Sequence, residues 1–259
     1  MTNAWLRPLL KRLMAPNQVM FVQKMEALYF TPYFRRSYSQ EGEDMILRRV
    51  FEGQTAGFYV DVGAHHPKHL SNTYAFYRQG WRGLNIDAMP GSMRAFRQLR
   101  PRDISVECAI AADKRTVVFY IFNNPSLNTC DEVLARSRVH RFRRIEREVS
   151  MQARRLDDVL SHHLPKGQTI DFLNIDVEGL DLEVLQSNDW ARFRPRFLIA
   201  ECWDLQLEHL DQLASHPMVS FLAEHNYALY AKSYSTAFFR DRNAGDLPAT
   251  PVHDDNVTP

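Results

Sequence analysis

Cysteine is scarce. Cys108, Cys130 and Cys202 are the only three in 259 residues, they are widely spaced, and no CxxC pair occurs. That pattern encodes neither a disulfide framework nor a zinc site of paired thiolates, and it makes a reducing cytoplasm the expected compartment. Glycine is sparse as well, ten in all, and no GxGxxG string is present, so no dinucleotide pyrophosphate cradle is encoded. No run of 18 apolar residues exists, so no transmembrane helix is expected. The basic, amphipathic start is interrupted by Pro8 and Lys11 and leads to no A-x-A-like site, which argues against a signal peptide. Net charge is nearly absent: 32 Lys+Arg face 31 Asp+Glu, leaving +1. A uniformly basic nucleic-acid binder is thereby excluded.

What is present is a core and a segregation of charge. Hydrophobic residues make up 45% and aromatics 12%, enough to exclude wholesale disorder, and the length suits one α/β domain with decoration. Residues 1–36 carry six bases against one acid, and residues 136–155 carry eight arginines against Glu146 and Glu148. Residues 156–211 carry twelve acids against four bases. A neutral total built from blocks of opposite sign points to separate surfaces with separate partners.

Residues 4–30 read as a basic amphipathic helical extension, broken near Pro16, that packs on the flank of the domain or touches a membrane surface or a glycan-assembly partner. That places the protein in the cytoplasm, with the inner membrane surface as a peripheral site. Beyond the extension, strands and helices alternate. Strands are expected at 57–62, 83–87, 104–110, 117–122, 170–176 and 196–201, with helices at 41–51, 73–79, 92–99, 157–163, 180–186 and 205–213. Such alternation means βαβ crossovers and a mostly parallel sheet. Strands at 227–231 and 236–240 are too close for a crossover and should form a hairpin, giving an antiparallel strand near the end of the chain. Residues 123–155 read as an Arg-rich insertion with weak helical periodicity over 131–148, and 241–259 as a disordered tail. Trp81, Trp190 and Trp203 are read as core or rim residues.

In an open parallel sheet, ligands bind beyond the carboxyl ends of the strands. The predicted strands deliver Asp61, Gly63, Ala64, His65 and His66 there, then Asp87 and Ala88, then Ala109 and Ile110, then Asp176 and Glu178, then Glu201. A lone glycine after a buried strand lets a ligand approach the backbone. An acid before it repels a pyrophosphate and suits a cation, and Asp87 can accept hydrogen bonds from a ribose diol. Ammonium, ribose and adenine together describe S-adenosylmethionine. Asp176 or Glu178, two residues apart, is the candidate to orient or deprotonate an acceptor hydroxyl, with His66, next to His65, as the second candidate base. The competing reading of Glu178 is a helix cap or an arginine's partner. The acids also suit a divalent cation such as magnesium, though no spacing demands one. Ser71 and Asn72 either cap the following helix or touch the cofactor, and Gln40 folds over it or lies on a surface helix.

The strings Tyr38-Ser39-Gln40-Glu41-Gly42-Glu43-Asp44, Val60-Asp61-Val62-Gly63-Ala64-His65 and Asn174-Ile175-Asp176-Val177-Glu178-Gly179, with Leu182 and Leu185 after the last and Leu156-Asp157-Asp158-Val159-Leu160 ahead of it, resemble the FkbM family of S-adenosylmethionine-dependent methyltransferases. The resemblance covers roughly 38–240. It implies a Rossmann-like class I methyltransferase fold with a seven-stranded sheet, and O-methylation of a hydroxyl on a sugar, glycan or related small molecule. The Arg-rich insertion lies outside it, and Arg141 and Arg144, with Glu201, are read as acceptor-binding residues for a phosphate-bearing substrate. Nucleic acid is not expected, because the acidic block would oppose a long polyanion. The competing functions are an inert interaction module of the same fold and a dinucleotide-dependent oxidoreductase, which the missing glycines disfavour.

Overall fold

The computed structural model describes residues 35–202 and 215–245, together with Leu213 and positions 15, 18–21 and 24. Most of the segment read over 4–30, all but the last residue of the helix read over 205–213, Trp203 and the tail beyond 245 lie outside the described residues. The chain divides into two compact units, Met1–Ser37 and Tyr38–Pro259, and the second holds every element named below.

Seven strands form one sheet: β1 (Phe58–Val62), β2 (Arg82–Asp87), β3 (Ile104–Glu107), β6 (Phe172–Ile175), β7 (Phe197–Glu201), β8 (Tyr227–Lys232) and β9 (Thr236–Asp241). Their order is β3-β2-β1-β6-β7-β9-β8. The pairs from β3 to β7 are parallel, and β9 runs antiparallel to both β7 and β8. The expected seven-stranded, mostly parallel sheet is therefore present, and its reversed strand is inserted one place in from the edge.

The apolar runs are continuous because both faces are covered. Along β1 the side chains alternate between two clusters. Phe58, Val60 and Val62 pack with Leu156, Val159 and Leu160 of α5 (Leu156–His163), Val184 and Leu185 of α6 (Asp181–Gln186) and Leu222 of α7 (Pro217–Glu224). Tyr59 faces the other way, with Leu47 and Val50 of α1 (Glu43–Val50), Phe76 and Tyr77 of α2 (Tyr74–Arg78), and Trp81. Trp81 is wholly buried and Trp190 is 7% exposed, as core residues should be. Helix α3 (Met93–Leu99) contributes Met93 and Phe96 to a smaller cluster with Ala64.

Three expectations need correction. The run at 117–122 is a strand, β4 (Thr116–Phe122), but it does not join the main sheet. It pairs antiparallel with β5 (Ile145–Gln152) in a separate ribbon. The helical reading over 131–148 holds only for α4 (Glu132–Arg138), after which the chain turns and returns as β5. The third strand also ends early. Beyond Glu107 the chain leaves the sheet, and Ile110 bridges Arg154 at the far end of the ribbon. The insertion is thus a built subdomain, with Tyr120, Phe122 and Ala135 as its small core.

Candidate active site

The turn after β1 is shaped by one backbone collision that only glycine avoids. Gly63 has φ +82°, and a Cβ placed on it would lie 1.7 Å from the Asp176 carbonyl oxygen. The tips of β1 and β6 therefore touch through bare backbone. The Gly63 and Ala64 amides donate to the Ile86 carbonyl at 2.9 and 3.1 Å, extending the β1–β2 ladder into the turn. His65, at φ 49°, donates its amide to Asp87 Oδ2 at 2.7 Å, and the Met89 amide donates to Asp87 Oδ1 at 2.7 Å. Asp87 thus pins both loops at this edge.

Asp61 is buried and doubly satisfied. Its Oδ2 accepts from Thr73 Oγ1 at 2.6 Å and its Oδ1 from Asn174 Nδ2 at 2.7 Å. Behind Thr73 lies Arg100, wholly buried. Arg100 donates to Thr73 Oγ1 (2.8 Å), Ser71 Oγ (2.7 Å), the Pro67 carbonyl (2.6 Å) and Asn85 Oδ1 (3.2 Å). Ser71 Oγ also accepts from the Tyr74 amide at 3.2 Å, and Asn72 Nδ2 donates to Asn174 Oδ1 at 3.0 Å. The capping reading of Ser71 is thereby met by geometry, and Asn72 braces β6.

The turn after β6 is built differently. Glu178 sits in the left-handed region at φ 58°, followed by Gly179 at φ 106°. Asp181 closes the turn by accepting from the Val177 and Gly179 amides at 3.3 and 3.2 Å. The insertion clasps it from outside: Thr129 Oγ1 donates to the Glu178 carbonyl at 2.7 Å, and Arg138 donates to Glu178 Oε2 at 2.5 Å. Both partners of this ion pair are largely buried, with 14% and 19% of their side chains exposed. The alternative reading of Glu178 as an arginine's partner is therefore met as well. The Asp176 carboxyl has no hydrogen-bond partner among the described residues. Oxygens of Asp176, Glu178 and Glu201 lie within 4.8 Å of one another.

These turns surround a cleft of about 480 Å³ at the carboxyl edge of the sheet. Gln40, Asp61, Gly63, Ala64, His65, His66, Ser71, Asn72, Asp87, Ala88, Ala109, Ile110, Asp176, Glu178 and Glu201 all line it. Arg141 and Arg144 do not: they stand exposed near the far turn of the insertion, where Arg144 pairs with Glu146 at 3.0 Å. The structure separates these two from the site because the chain turns away after Arg138 instead of continuing a helix past the acids. No Lys or Arg lines the cleft among the described residues.

Burial dominates the electrostatics. It raises the carboxyls of Asp61 and Asp87 above the usual range, against their hydrogen-bond donors. It raises Asp176 well above that range, and Glu178, Asp181, Asp61 and Glu43 add repulsion. Burial also raises Glu178, with Arg138 pulling it back, and pushes Asp181 up to about 7. His66 is lowered by burial and by His69, and its Nδ1 accepts from the Lys68 and His69 amides at 3.0 and 3.1 Å. That leaves only Nε2 for chemistry. Burial lifts the Cys108 and Cys130 thiols on the cleft wall to about 11 and about 12, so neither is a thiolate nucleophile at neutral pH.

Several participants escape sequence reading. Glu43, Asn174 and Thr236 line the cleft. Glu41 accepts from Ser233 Oγ, the Ser235 amide and Ser235 Oγ at 2.7 to 2.8 Å, tying the segment before α1 to the β8–β9 turn. Arg100 and Arg138 carried no local signal. Three of the four non-glycine residues with positive φ among the described residues, His65, Leu70 and Glu178, line this cleft, and such strain concentrates where function over-determines the backbone.

The sheet order, the reversed strand near the end and an acid-lined cleft beyond the strand tips define a Rossmann-like class I methyltransferase fold. The profile of the Methyltransferase FkbM domain matches residues 61–229, and the chain belongs to this family of S-adenosylmethionine-dependent methyltransferases. No curated protein matches the chain. Among solved structures it is similar to a precorrin-6y C5,15-methyltransferase from Geobacter metallireducens (12% identity, 76% of this chain and 84% of that one, TM-score 0.38). It is also similar to an O-methyltransferase from Bacillus cereus in complex with SAH (12%, 87% and 90%, 0.36). A third is Aeropyrum pernix fibrillarin with natively bound S-adenosyl-L-methionine (10%, 76% and 73%, 0.40).

Proposed function

We propose that the protein transfers the methyl group of S-adenosylmethionine to a hydroxyl of a glycan or related small-molecule acceptor. The observation that carries this reading is Asp176: a carboxyl at the cleft wall with no hydrogen-bond partner among the described residues, made more basic by burial and by four neighbouring acids. A methyl transfer to oxygen needs the hydroxyl proton removed, and a carboxylate made more basic by its surroundings does that better than an ordinary one. The donor set also fits the cofactor. A cleft lined by Asp61, Asp87, Asp176, Glu178 and Glu201 without Lys or Arg suits a sulfonium and an ammonium and offers nothing to a pyrophosphate. Asp87 would hold the ribose, Ala88, Ala109 and Ile110 the adenine, and the turn at Gly63–His65 the methionine portion, while the bound cofactor supplies an electrophilic methyl.

Calorimetry with S-adenosylhomocysteine tests the fit, with binding expected for the wild type and lost in Asp61→Ala. An absence of binding in the wild type sinks the enzyme reading and leaves the inert module. Mass spectrometry of surface glycans and metabolites with and without the gene, searching for one added CH2, tests the acceptor class. A second reading is favoured by the convergence of Asp176, Glu178 and Glu201 oxygens within 4.8 Å: these three carboxylates would hold a divalent cation such as magnesium, which would supply Lewis-acid orientation of the hydroxyl. Turnover that survives EDTA undiminished rejects it.

A further inference from the structure

The arginines that the cleft leaves out gather at one place. After α4 the chain makes a tight turn in which the His140 amide donates to the Arg143 carbonyl at 2.9 Å and the Arg143 amide returns a bond to the His140 carbonyl at 3.0 Å. Arg141 and Phe142 are therefore the two central residues of the turn. The tip is braced rather than loose. His140 Nδ1 accepts from the Phe142 amide at 3.2 Å, and Asn123 Nδ2 donates to the Phe142 carbonyl at 3.1 Å. The Asn123 amide and the Arg144 amide complete the clasp at 3.1 Å each, the first to the Arg144 carbonyl and the second to Asn123 Oδ1.

On this rigid turn the side chains face water. Phe142 is 73% exposed and Val139 47%. The Arg141 guanidinium lies 5.3 Å from the Phe142 ring centre, and neither Arg141 nor Arg143 has a carboxylate partner among the described residues. Arg144 has one, the exposed Glu146. An aromatic ring exposed beside one guanidinium, on a turn that carries two further arginines, is the chemistry of a bilayer interface: the ring enters the acyl boundary and the arginines meet lipid phosphates. The tip is four residues from Arg138, whose side chain touches Glu178, so at most about 14 Å of chain separates it from Arg138.

We propose that the turn Val139–Arg144 docks the protein on an anionic membrane surface, with Phe142 inserted and Arg141, Arg143 and Arg144 on the phosphates. The assignment is independent of the methyl-transfer chemistry and differs from the basic segment 1–36 that the sequence offers for such contact.

The test is co-sedimentation of the full chain with vesicles of phosphatidylcholine, with and without phosphatidylglycerol. Binding is expected only with phosphatidylglycerol and should fade as salt rises. Phe142→Ser should weaken partitioning about tenfold. Each of Arg141→Gln and Arg143→Gln should weaken it about fivefold. Melting temperature should stay unchanged, since the replaced side chains face solvent. Phe142→Trp reports locally: its added emission should shift to shorter wavelength when anionic vesicles are mixed in. The proposal is overturned by a wild type that ignores anionic vesicles. Binding that survives all three replacements, or a Phe142→Trp signal unmoved while the chain binds, places the contact elsewhere and overturns it equally. An oligonucleotide that binds these arginines where vesicles do not would assign the tip to a different polyanion.

Discussion

The two turns that meet over Gly63 are made to opposite plans. At the tips of β1 and β2 every carboxylate oxygen is met from inside the protein: Asp61 by Thr73 and Asn174, Asp87 by His65 and Met89. A buried arginine stands behind them with four acceptors of its own. At the tip of β6, Asp176 has no such partner among the described residues, and the Glu178 carboxylate is met by Arg138 of the insertion. Satisfied groups rigidify, whereas a half-buried acid without an internal hydrogen bond stays open to solvent or ligand and to its acidic neighbours. One half of the cleft is held by internal hydrogen bonds to its carboxylates, and the other leaves the Asp176 carboxyl without one among the described residues.

That contrast can be broken at four points. The largest effect is expected at the junction. Gly63→Ala adds a Cβ into the Asp176 carbonyl and forces alanine to a left-handed backbone, which alone costs about 1–2 kcal/mol. The expected outcome is loss of a cooperative melt or of all S-adenosylhomocysteine binding, checked by calorimetry. Next is the braced half. Arg100→Met leaves Thr73, Ser71, Asn85 and the Pro67 carbonyl without their donor, and a loss of about 3–5 kcal/mol is expected in denaturant unfolding. The unbraced half should respond in the opposite sense. Asp176→Asn relieves repulsion among Glu178, Asp181, Asp61 and Glu43, so the melting temperature should rise or hold. Turnover should fall by about a hundredfold to ten-thousandfold, with S-adenosylhomocysteine still bound. A destabilised Asp176→Asn with normal turnover would erase the distinction between the halves.

The smallest effect concerns the ion pair on the Glu178 side chain at the β6 turn. Arg138 lowers the Glu178 carboxyl against the effect of burial. Without it, Glu178 holds its proton to higher pH, so the acid limb of the turnover profile in Arg138→Met should move upward by about one pH unit. Arg138→Lys keeps the charge and should restore much of the original position. An unmoved limb in Arg138→Met would make the ion pair purely structural.

Much of this was legible in sequence, for definable reasons. The main strands announce themselves because both faces are buried, so β1 reads as an unbroken apolar run ending in Asp61 and Gly63. The acids at the strand ends are equally visible, since topology alone carries them to one edge. The ribbon was not legible. In β5, Ile145 and Val149 are four residues apart among exposed Glu146, Arg147 and Glu148, a spacing that one turn of helix would share. What makes β5 a strand is β4, more than twenty residues earlier. Arg100 was hidden because arginine is rarely buried, and its acceptors lie 15 to 33 residues away in the chain. The Arg138–Glu178 pair spans 40 residues, and nothing local to either residue announces it.

The clasp on the β6 turn has a mechanical consequence. Thr129 grips the Glu178 backbone, Arg138 grips its side chain, and Leu134 and Asp131 fill the space over Gly179, where an added Cβ would come within 2.8 Å of Leu134 Cδ2. Three successive parts of one insertion thus hold two adjacent residues. The turn cannot swing while the insertion stays still, and the insertion cannot tilt without carrying Glu178 with it. The inner end of the ribbon is thereby fastened to the wall of the cleft at both the backbone and the side chain of Glu178.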